Sequence, residues 1–281
     1  MKRKTGLAAL FTCLAFASGA MAQEKLRPDP ETAKILTSVG LTYDQAREAA
    51  GGQEVWAYYE NENAAGEAFS LHGVDGSCGV SWSAEGEGLA SGFSKKDAKS
   101  MHLKYDRAID RDIEKLGMLH ELVHCTQSEG AKNNEYEADE KALTFYLAQG
   151  GSRTTVQYWI YWRGVSPLLY PGKYAKSENY TPTMGTRLQA KFFGGETPDI
   201  GKTRAAYEEI IAAAAKTGKA AGPKLVHDML SDKKSTLSPE AKQLLRFYDD
   251  GFRFLAHGPQ RTATTELRFA GNDRGHPRND L

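Results

Sequence analysis

The stretch His120-Glu121-Leu122-Val123-His124 decides both the fold and the chemistry predicted for this chain of 281 residues. In an α-helix, two histidines four positions apart lie on one face, with Cβ atoms about 5 to 6 Å from each other. Both ring nitrogens can then reach one zinc ion at roughly 2.0 to 2.1 Å. Glu121 lies one residue round the helix, beside such a metal, where its carboxylate can act as a general base on a water molecule.

A second polar cluster, the segment 135–139 (EYEAD), follows the histidines after a short connection of ten residues. Asn134 is a candidate N-cap for a helix that starts here, and Glu137 occupies the capping-box position. Glu135 is the candidate third metal ligand. Asp139, one turn later on the same face, would accept a hydrogen bond from the outer nitrogen of a metal-binding histidine and fix its tautomer. The two clusters together predict a metal site shared by two helices.

This combination of motifs resembles the zincin metallopeptidases, specifically the gluzincins, in which HExxH is followed on a second helix by a glutamate ligand in an ExxAD or ExxxD setting. The resemblance covers roughly residues 101–149. It implies that His120, His124 and Glu135 bind zinc and that Glu121 is the general base. Asp139 would then accept a hydrogen bond from the outer ring nitrogen of a ligand histidine. It also implies an α+β fold, in which a small N-terminal mixed sheet precedes the metal-binding helix and a mostly helical C-terminal part.

Simpler interpretations compete with the metal site. The two histidines continue an apolar stripe of the same helix, formed by Ile109, Ile113 and Leu116. Half-buried histidines on an amphipathic helix without a metal have this pattern as well. Acidic residues are favoured in the first turn of any helix, near the positive end of its dipole. The connection between the clusters is also shorter than in many gluzincins, so Glu137 and Asp139 remain alternative third ligands. The coincidence of both clusters favours the metal site.

The first 22 residues have the pattern of a cleavable signal peptide. Residues 2–4 are basic, residues 7–16 form an apolar run, and residues 20–22 (Ala-Met-Ala) give the small-x-small ending that precedes cleavage. The sequence therefore predicts an exported protein, either periplasmic or secreted. No later stretch approaches the roughly 20 apolar residues that a membrane-spanning helix needs.

Removal of this leader leaves about 259 residues, with 33 basic and 36 acidic side chains and a formal charge of minus 3. This charge argues against nucleic acid as a partner. Two cysteines remain, Cys78 and Cys125, which are a natural disulfide pair in an oxidising compartment. Because Cys125 directly follows His124, we expect the disulfide to link the end of the helix that carries the two histidines to an upstream strand or loop.

The hydrophobic pattern changes from strand-like to helical near residue 106. Strands are predicted over residues 54–59, 68–72, 78–83 and 101–105. Helices are predicted from there through residue 127, over 135–147, over 154–162 after a Ser152 cap, over 204–216 after a Thr203 cap, and from Pro239 after a Ser238 cap. Residues 23–258 are interpreted as one zincin-like domain, which contains the sheet up to about residue 105, and residues 259–281 as a polar, mobile tail.

The site residues predict a zinc-dependent peptidase that hydrolyses a peptide or protein substrate through a metal-activated water. Glu121 favours this function over the alternative, a non-catalytic zinc-binding or scaffold protein on a peptidase-like fold, because a purely structural site needs no base between its ligands. A helical protein without metal is the third hypothesis. The oxyanion donor remains open, as does the oligomeric state; the candidate donors are Tyr158, Tyr161, Tyr170, Tyr174, Tyr180, His227 and His257.

Overall fold

A computed structural model of the chain describes residues 28–60, 69–72, 76–83, 107–127, 134–171, 182–219 and 221–258. Over these residues the protein is mixed and mostly helical, with one small sheet. The predicted signal peptide, the predicted strand over 101–105 and the predicted mobile tail lie outside the described residues.

Two short helices, α1 (Pro30–Ser38) and α2 (Tyr43–Ala49), precede the sheet and are not among the predicted elements. Each begins at a local capping signal. The Asp29 carboxylate accepts from the first backbone N–H groups of α1, and Thr42 forms a capping box with Gln45 at the start of α2. The Thr32 hydroxyl accepts from the N–H of Ala57 at 2.9 Å, which ties α1 to the first strand.

The sheet has three strands, β1 (Val55–Glu60), β2 (Phe69–His72) and β3 (Cys78–Ser83), in the order β1-β3-β2. β1 runs parallel to the central strand β3, whereas β2 runs antiparallel to it. Three predicted strands are thus confirmed to within one residue at either end, as is the small N-terminal mixed sheet. Alternate residues of β3 are buried in the core: Cys78, Val80 and Trp82.

Helices α3 (Arg107–His124) and α4 (Glu135–Ala148) follow the sheet and carry the two predicted polar clusters. α3 ends at His124, whereas the hydrophobic pattern predicted a helix through Gln127. The predicted disulfide is present and joins Cys78, the first residue of β3, to Cys125, with their Cα atoms 5.7 Å apart. It therefore fixes the C-terminal end of α3 to the central strand.

Five further helices complete the described chain: α5 (Arg153–Leu169), α6 (Met184–Phe193), α7 (Ile200–Thr217), α8 (Pro223–Ser231) and α9 (Pro239–His257). The caps predicted for α5 and α9 are confirmed, because the Ser152 and Ser238 side chains accept backbone N–H groups at the starts of these helices. α5 is longer than predicted. α6 and α8 are not predicted, since neither has a side-chain cap hydrogen bond at its start.

The predicted start of α7 is wrong. Thr203 lies inside this helix, and its hydroxyl donates to the carbonyl oxygen of Asp199 at 2.8 Å. The Asp199 carboxylate takes the cap position instead, where it accepts from the N–H of Lys202 at 2.8 Å. A carboxylate satisfies the free N–H groups of a first turn and also interacts favourably with the helix dipole.

Two apolar cores share helix α5. The first core contains residues of α1, α2, the sheet, α3, α4, α6 and the N-terminal half of α5. The second core joins the C-terminal half of α5 to α7, α8 and α9. The predicted apolar stripe of α9 is buried in the second core: Ala241, Leu244, Leu245, Tyr248, Phe252 and Leu255. Within the described ranges, no helix is long and apolar enough to cross a bilayer.

Candidate metal centre

His120 and His124 lie in the last turns of α3 and are both buried, with 3% and 7% of their surface exposed. Their rings meet edge to face with centroids 4.6 Å apart. The two Nε2 atoms are 3.0 Å apart. The spacing of four residues thus brings both rings to one place, as the helical period requires.

Glu135, the first residue of α4, brings a carboxylate to this pair of nitrogens. Its Oε2 atom lies 3.0 Å from Nε2 of His120, and its Oε1 atom lies 3.6 Å from Nε2 of His124. Glu137 instead forms an ion pair with Lys141 at 2.6 Å, one turn further along α4. Among the three acidic residues considered from the sequence, Glu135 is therefore the one placed against both Nε2 atoms.

The geometry and donor chemistry of this group fit a zinc ion. One donor atom from each of His120, His124 and Glu135 lies within 4.8 Å of the other two. Ligands of a tetrahedral zinc, each at roughly 2.0 to 2.1 Å, are about 3.3 Å from each other. The observed separations of 3.0 and 3.6 Å lie on either side of this value. Two imidazoles and one carboxylate also form a donor set of catalytic zinc sites.

Asp139 binds the other ring nitrogen of His120. Its Oδ1 atom lies 2.8 Å from Nδ1, and the aspartate is completely buried. Burial alone would lower the pKa of His120, but the charges of Asp139 and Glu135, and the hydrogen bonds to them, outweigh burial and raise this pKa to about 10. Burial opposes the ionised form of Glu135 too, but the hydrogen bond to His120 and nearby positive charges lower its pKa to about 2. At neutral pH these two shifts favour a positively charged His120 ring beside an ionised Glu135 carboxylate.

Gln127 orients His124 and connects the two ligand helices. Its Oε1 atom accepts from Nδ1 of His124 at 2.9 Å and from the N–H of Asn134 at 3.2 Å. Its Nε2 atom donates to the Asn134 carbonyl at 2.9 Å. With the proton at Nδ1, His124 presents the lone pair of Nε2 to the other ligands. Burial and the charge of His120 lower the pKa of His124, which favours this neutral form.

The predicted cap of α4 is confirmed, because Oδ1 of Asn134 accepts from the N–H of Glu137 at 3.1 Å. The N–H of Asn134 itself donates to Gln127. In place of the reciprocal bond of the predicted capping box, the N–H of Asn134 thus binds Gln127, three residues after the end of α3.

Helix α5 supplies two groups to the site that the sequence motifs did not reveal. The indole N–H of Trp159 donates to Oδ1 of Asp139 at 2.9 Å. Arg163, only 5% exposed, binds the same carboxylate through Nε and Nη2. A signal for Arg163 does exist in the sequence, since it is the one charged residue within the apolar stretch 156–169, and a buried arginine requires a partner.

Glu121 lies partly buried on α3, next to the first ligand. Burial raises the pKa of its carboxyl to about 7, with the charges of His120 and Glu135 acting in opposite directions. A group with this pKa exchanges protons readily near neutral pH. The position and the pKa both suit the general base predicted from the motif.

The predicted oxyanion donors are distributed as follows. Tyr158 and Tyr161 pack in the apolar cores, and Tyr170 is the C-cap residue that follows α5. His227 lies on α8 and His257 is the last residue of α9, two helices of the second core. Tyr174 and Tyr180 lie outside the described residues. Arg163 is a cation that does reach the group of candidate metal ligands, with its Nη2 atom 3.6 Å from Oε2 of Glu135.

Comparison with protein-family models, with curated proteins and with solved structures gives no match. The functional interpretation therefore depends on the residues and geometry of this site.

Proposed function

We propose that this protein is a zinc-dependent peptidase of the zincin type, with His120, His124 and Glu135 as metal ligands and Glu121 as general base. The convergence of two buried Nε2 atoms and one carboxylate, with separations of 3.0 to 3.6 Å, carries this proposal. When bound, zinc supplies a Lewis acid that lowers the pKa of a coordinated water and polarises a carbonyl oxygen.

The protein groups prepare the site for this chemistry. Asp139 binds Nδ1 of His120, and Gln127 binds Nδ1 of His124. Both rings therefore direct their Nε2 atoms toward the proposed metal position. Glu121 accepts a proton from the attacking water and returns it to the nitrogen of the leaving amine. The peptide C–N bond breaks, and the water divides between the new carboxyl group and the new amine.

Two features favour catalysis over a purely structural zinc. Structural sites are closed by four protein ligands, whereas catalytic sites keep one position open for water or substrate. The cluster found among the described residues offers three ligands. Glu121 adds a carboxyl group that titrates near neutral pH beside them. The alternative, a non-catalytic zinc-binding or scaffold protein, would have no use for that group.

We further propose that the protein is exported to the periplasm or secreted. The signal-peptide pattern supports this location, and the disulfide between Cys78 and Cys125 is compatible with it, because disulfides persist in oxidising compartments.

The test compares wild type, Glu121→Gln and the matched control Glu137→Gln. Both substitutions remove one carboxylate, but Glu137 pairs with Lys141 away from the metal ligands. Zinc content is measured by elemental mass spectrometry, and cleavage is measured on a mixed peptide library with and without chelator. We expect about one zinc in all three proteins and chelator-sensitive cleavage by wild type and the control only. Zinc in wild type without cleavage would support the non-catalytic alternative, and absence of zinc would contradict the metal site.

A further inference from the structure

Arg163 is a buried cation in the apolar part of α5. Its guanidinium carbon lies 5.0 Å from the ring centroid of Trp159 and 4.9 Å from that of Trp162. Stacking on two indole rings suits the flat, weakly hydrated guanidinium group and restricts its rotation. The cation is therefore held at a fixed place beside the ligand helices.

The guanidinium group binds the carboxylate of Asp139 through two of its nitrogens. Nε and Nη2 both donate to Oδ1, at 3.3 and 3.1 Å, and Nε also lies 3.0 Å from Oδ2. The same Oδ1 atom also binds Nδ1 of His120 and the indole N–H of Trp159. Because these donors restrict the rotation of the carboxylate, Trp159 and Arg163 of α5 help to set the direction in which Asp139 holds the His120 ring.

The contact of Arg163 extends to the metal ligands themselves. Its Nη2 atom lies 3.6 Å from Oε2 of Glu135 and 3.3 Å from Nε2 of His120. One side chain on α5 thus contacts both ligand helices, α3 through His120 and α4 through Asp139 and Glu135.

We propose that Arg163 is a positioning residue that sets the zinc affinity of this site by locking Asp139 and, through it, His120. The inference rests on the proposed function, because it assumes that zinc binds His120, His124 and Glu135. The planar fork of arginine is required for this role. Lysine keeps the charge, but its single nitrogen cannot replace the two nitrogens that Arg163 places on Asp139.

A simple counter-ion role makes the opposite prediction. If Arg163 only balanced the charge of Asp139, its removal would make the site more negative and tighten the binding of a dication. Lysine at the same position would then behave like arginine. The sign of the change in zinc affinity, and the behaviour of the lysine variant, therefore separate positioning from charge balance.

The experiment measures zinc dissociation constants by competition with a chromophoric chelator for wild type, Arg163→Lys, Arg163→Gln and the control Arg153→Gln. Arg153 is an exposed arginine at the start of the same helix; it stacks on Phe193 and donates to the Phe192 carbonyl, away from the ligands. We expect both Arg163 variants to bind zinc roughly 10- to 100-fold more weakly, which is typical when a side chain that helps to orient a metal ligand is lost. The control should match wild type.

A second comparison covers the case in which Arg163→Gln leaves buried acids unpaired and does not fold. Asp139→Asn removes one of these acids and leaves Arg163 beside Glu135 at 3.6 Å, and the doubly substituted Asp139→Asn/Arg163→Gln protein removes both charges of the Asp139–Arg163 pair. Because Arg163 acts mainly through Asp139, the second change should weaken zinc binding by less than about threefold in this background.

Wild-type zinc binding together with unchanged or tighter binding in the Arg163 variants would overturn the positioning role and leave the proposed metal site intact. A full additional loss in the double variant would equally overturn the route through Asp139. Failure of wild type to bind zinc would instead contradict the proposed function, so the two failures are distinguishable.

Discussion

The side-chain amide of Gln127 joins His124 to Asn134, accepting from the Nδ1 atom of the histidine at 2.9 Å and pairing with both backbone groups of the asparagine. The Gln127 side chain therefore orients the candidate ligand His124. It also fixes Asn134, the N-cap of helix α4, which carries the candidate ligand Glu135. This relationship leads to the first prediction.

Replacement of Gln127 by Ala should weaken zinc binding roughly 10- to 100-fold, because His124 loses the acceptor that sets its tautomer. Chelator competition measures this effect. The matched control is Gln53→Ala, since Gln53 donates to the carbonyl of Cys125 at 2.8 Å, close to the same helix end, without contacting a ligand. Equal losses of zinc affinity in both variants would show that the effect is general loosening and would contradict the role of Gln127.

The metal-free protein should lose stability between pH 7 and pH 10. The contacts with Asp139 and Glu135 raise the pKa of His120 to about 10 in the folded protein, from 6.5 for an unperturbed histidine. A raised pKa of this kind stabilises the fold fully below pH 6.5, and the stabilisation disappears as the pH rises toward 10. We expect the free energy of unfolding of chelator-treated protein to fall by up to about 1.4 kcal/mol per pH unit in this window.

Denaturant titrations of wild type and His120→Gln, each with chelator, measure this slope. The variant lacks the titrating ring and should show a flatter dependence. Zinc-loaded wild type should also be flatter, because the metal replaces the proton. A chelated wild type whose stability stays constant from pH 7 to pH 10 would contradict the contacts of His120 with Asp139 and Glu135.

Loss of the disulfide between Cys78 and Cys125 should destabilise the C-terminal end of α3. Cys78 and Cys125 are 47 residues apart in sequence, and their link constrains the unfolded chain. The change Cys78→Ser with Cys125→Ser should lower the free energy of unfolding by about 2 to 4 kcal/mol. Thiol titration of the unfolded wild-type protein should find no free thiol from this pair before reduction and two after it. Two reactive thiols before reduction would refute the disulfide.

Two glycine-to-alanine substitutions should have opposite effects on stability. An ideal Cβ atom on Gly185 of α6 would lie 2.4 Å from Cα of Gly164 in α5, so Gly185→Ala should force these helices apart at a cost of about 1 to 3 kcal/mol. Gly201 is exposed in the first turn of α7, and its Cβ would meet Asp199 Oδ1 only at 3.4 Å. Gly201→Ala should therefore be stabilising by up to about 1 kcal/mol. Thermal unfolding of both variants tests the close packing of α5 on α6.

Local patterns predicted much of the framework. The strands of the sheet, the caps at Ser152 and Ser238 and the apolar stripe of α9 follow from periodicity and from hydrogen bonds within one turn of chain, so a window of a few residues contains the necessary information. The same local logic failed where two neighbouring residues competed for one cap, as with Asp199 and Thr203. It also failed for α6 and α8, whose starts have no side-chain cap.

By itself, the sequence determined that two histidines share a helical face beside Glu121, that an acidic helix follows, and that Cys78 and Cys125 were the pair available for a disulfide. Only the tertiary structure decided that Glu135 rather than Glu137 meets the histidines, that Gln127 binds His124, and that Arg163 binds Asp139. Arg163 and His120 are 43 positions apart in the chain. Their contact depends on how α5 packs across α3 and α4, and no local propensity or period encodes that packing.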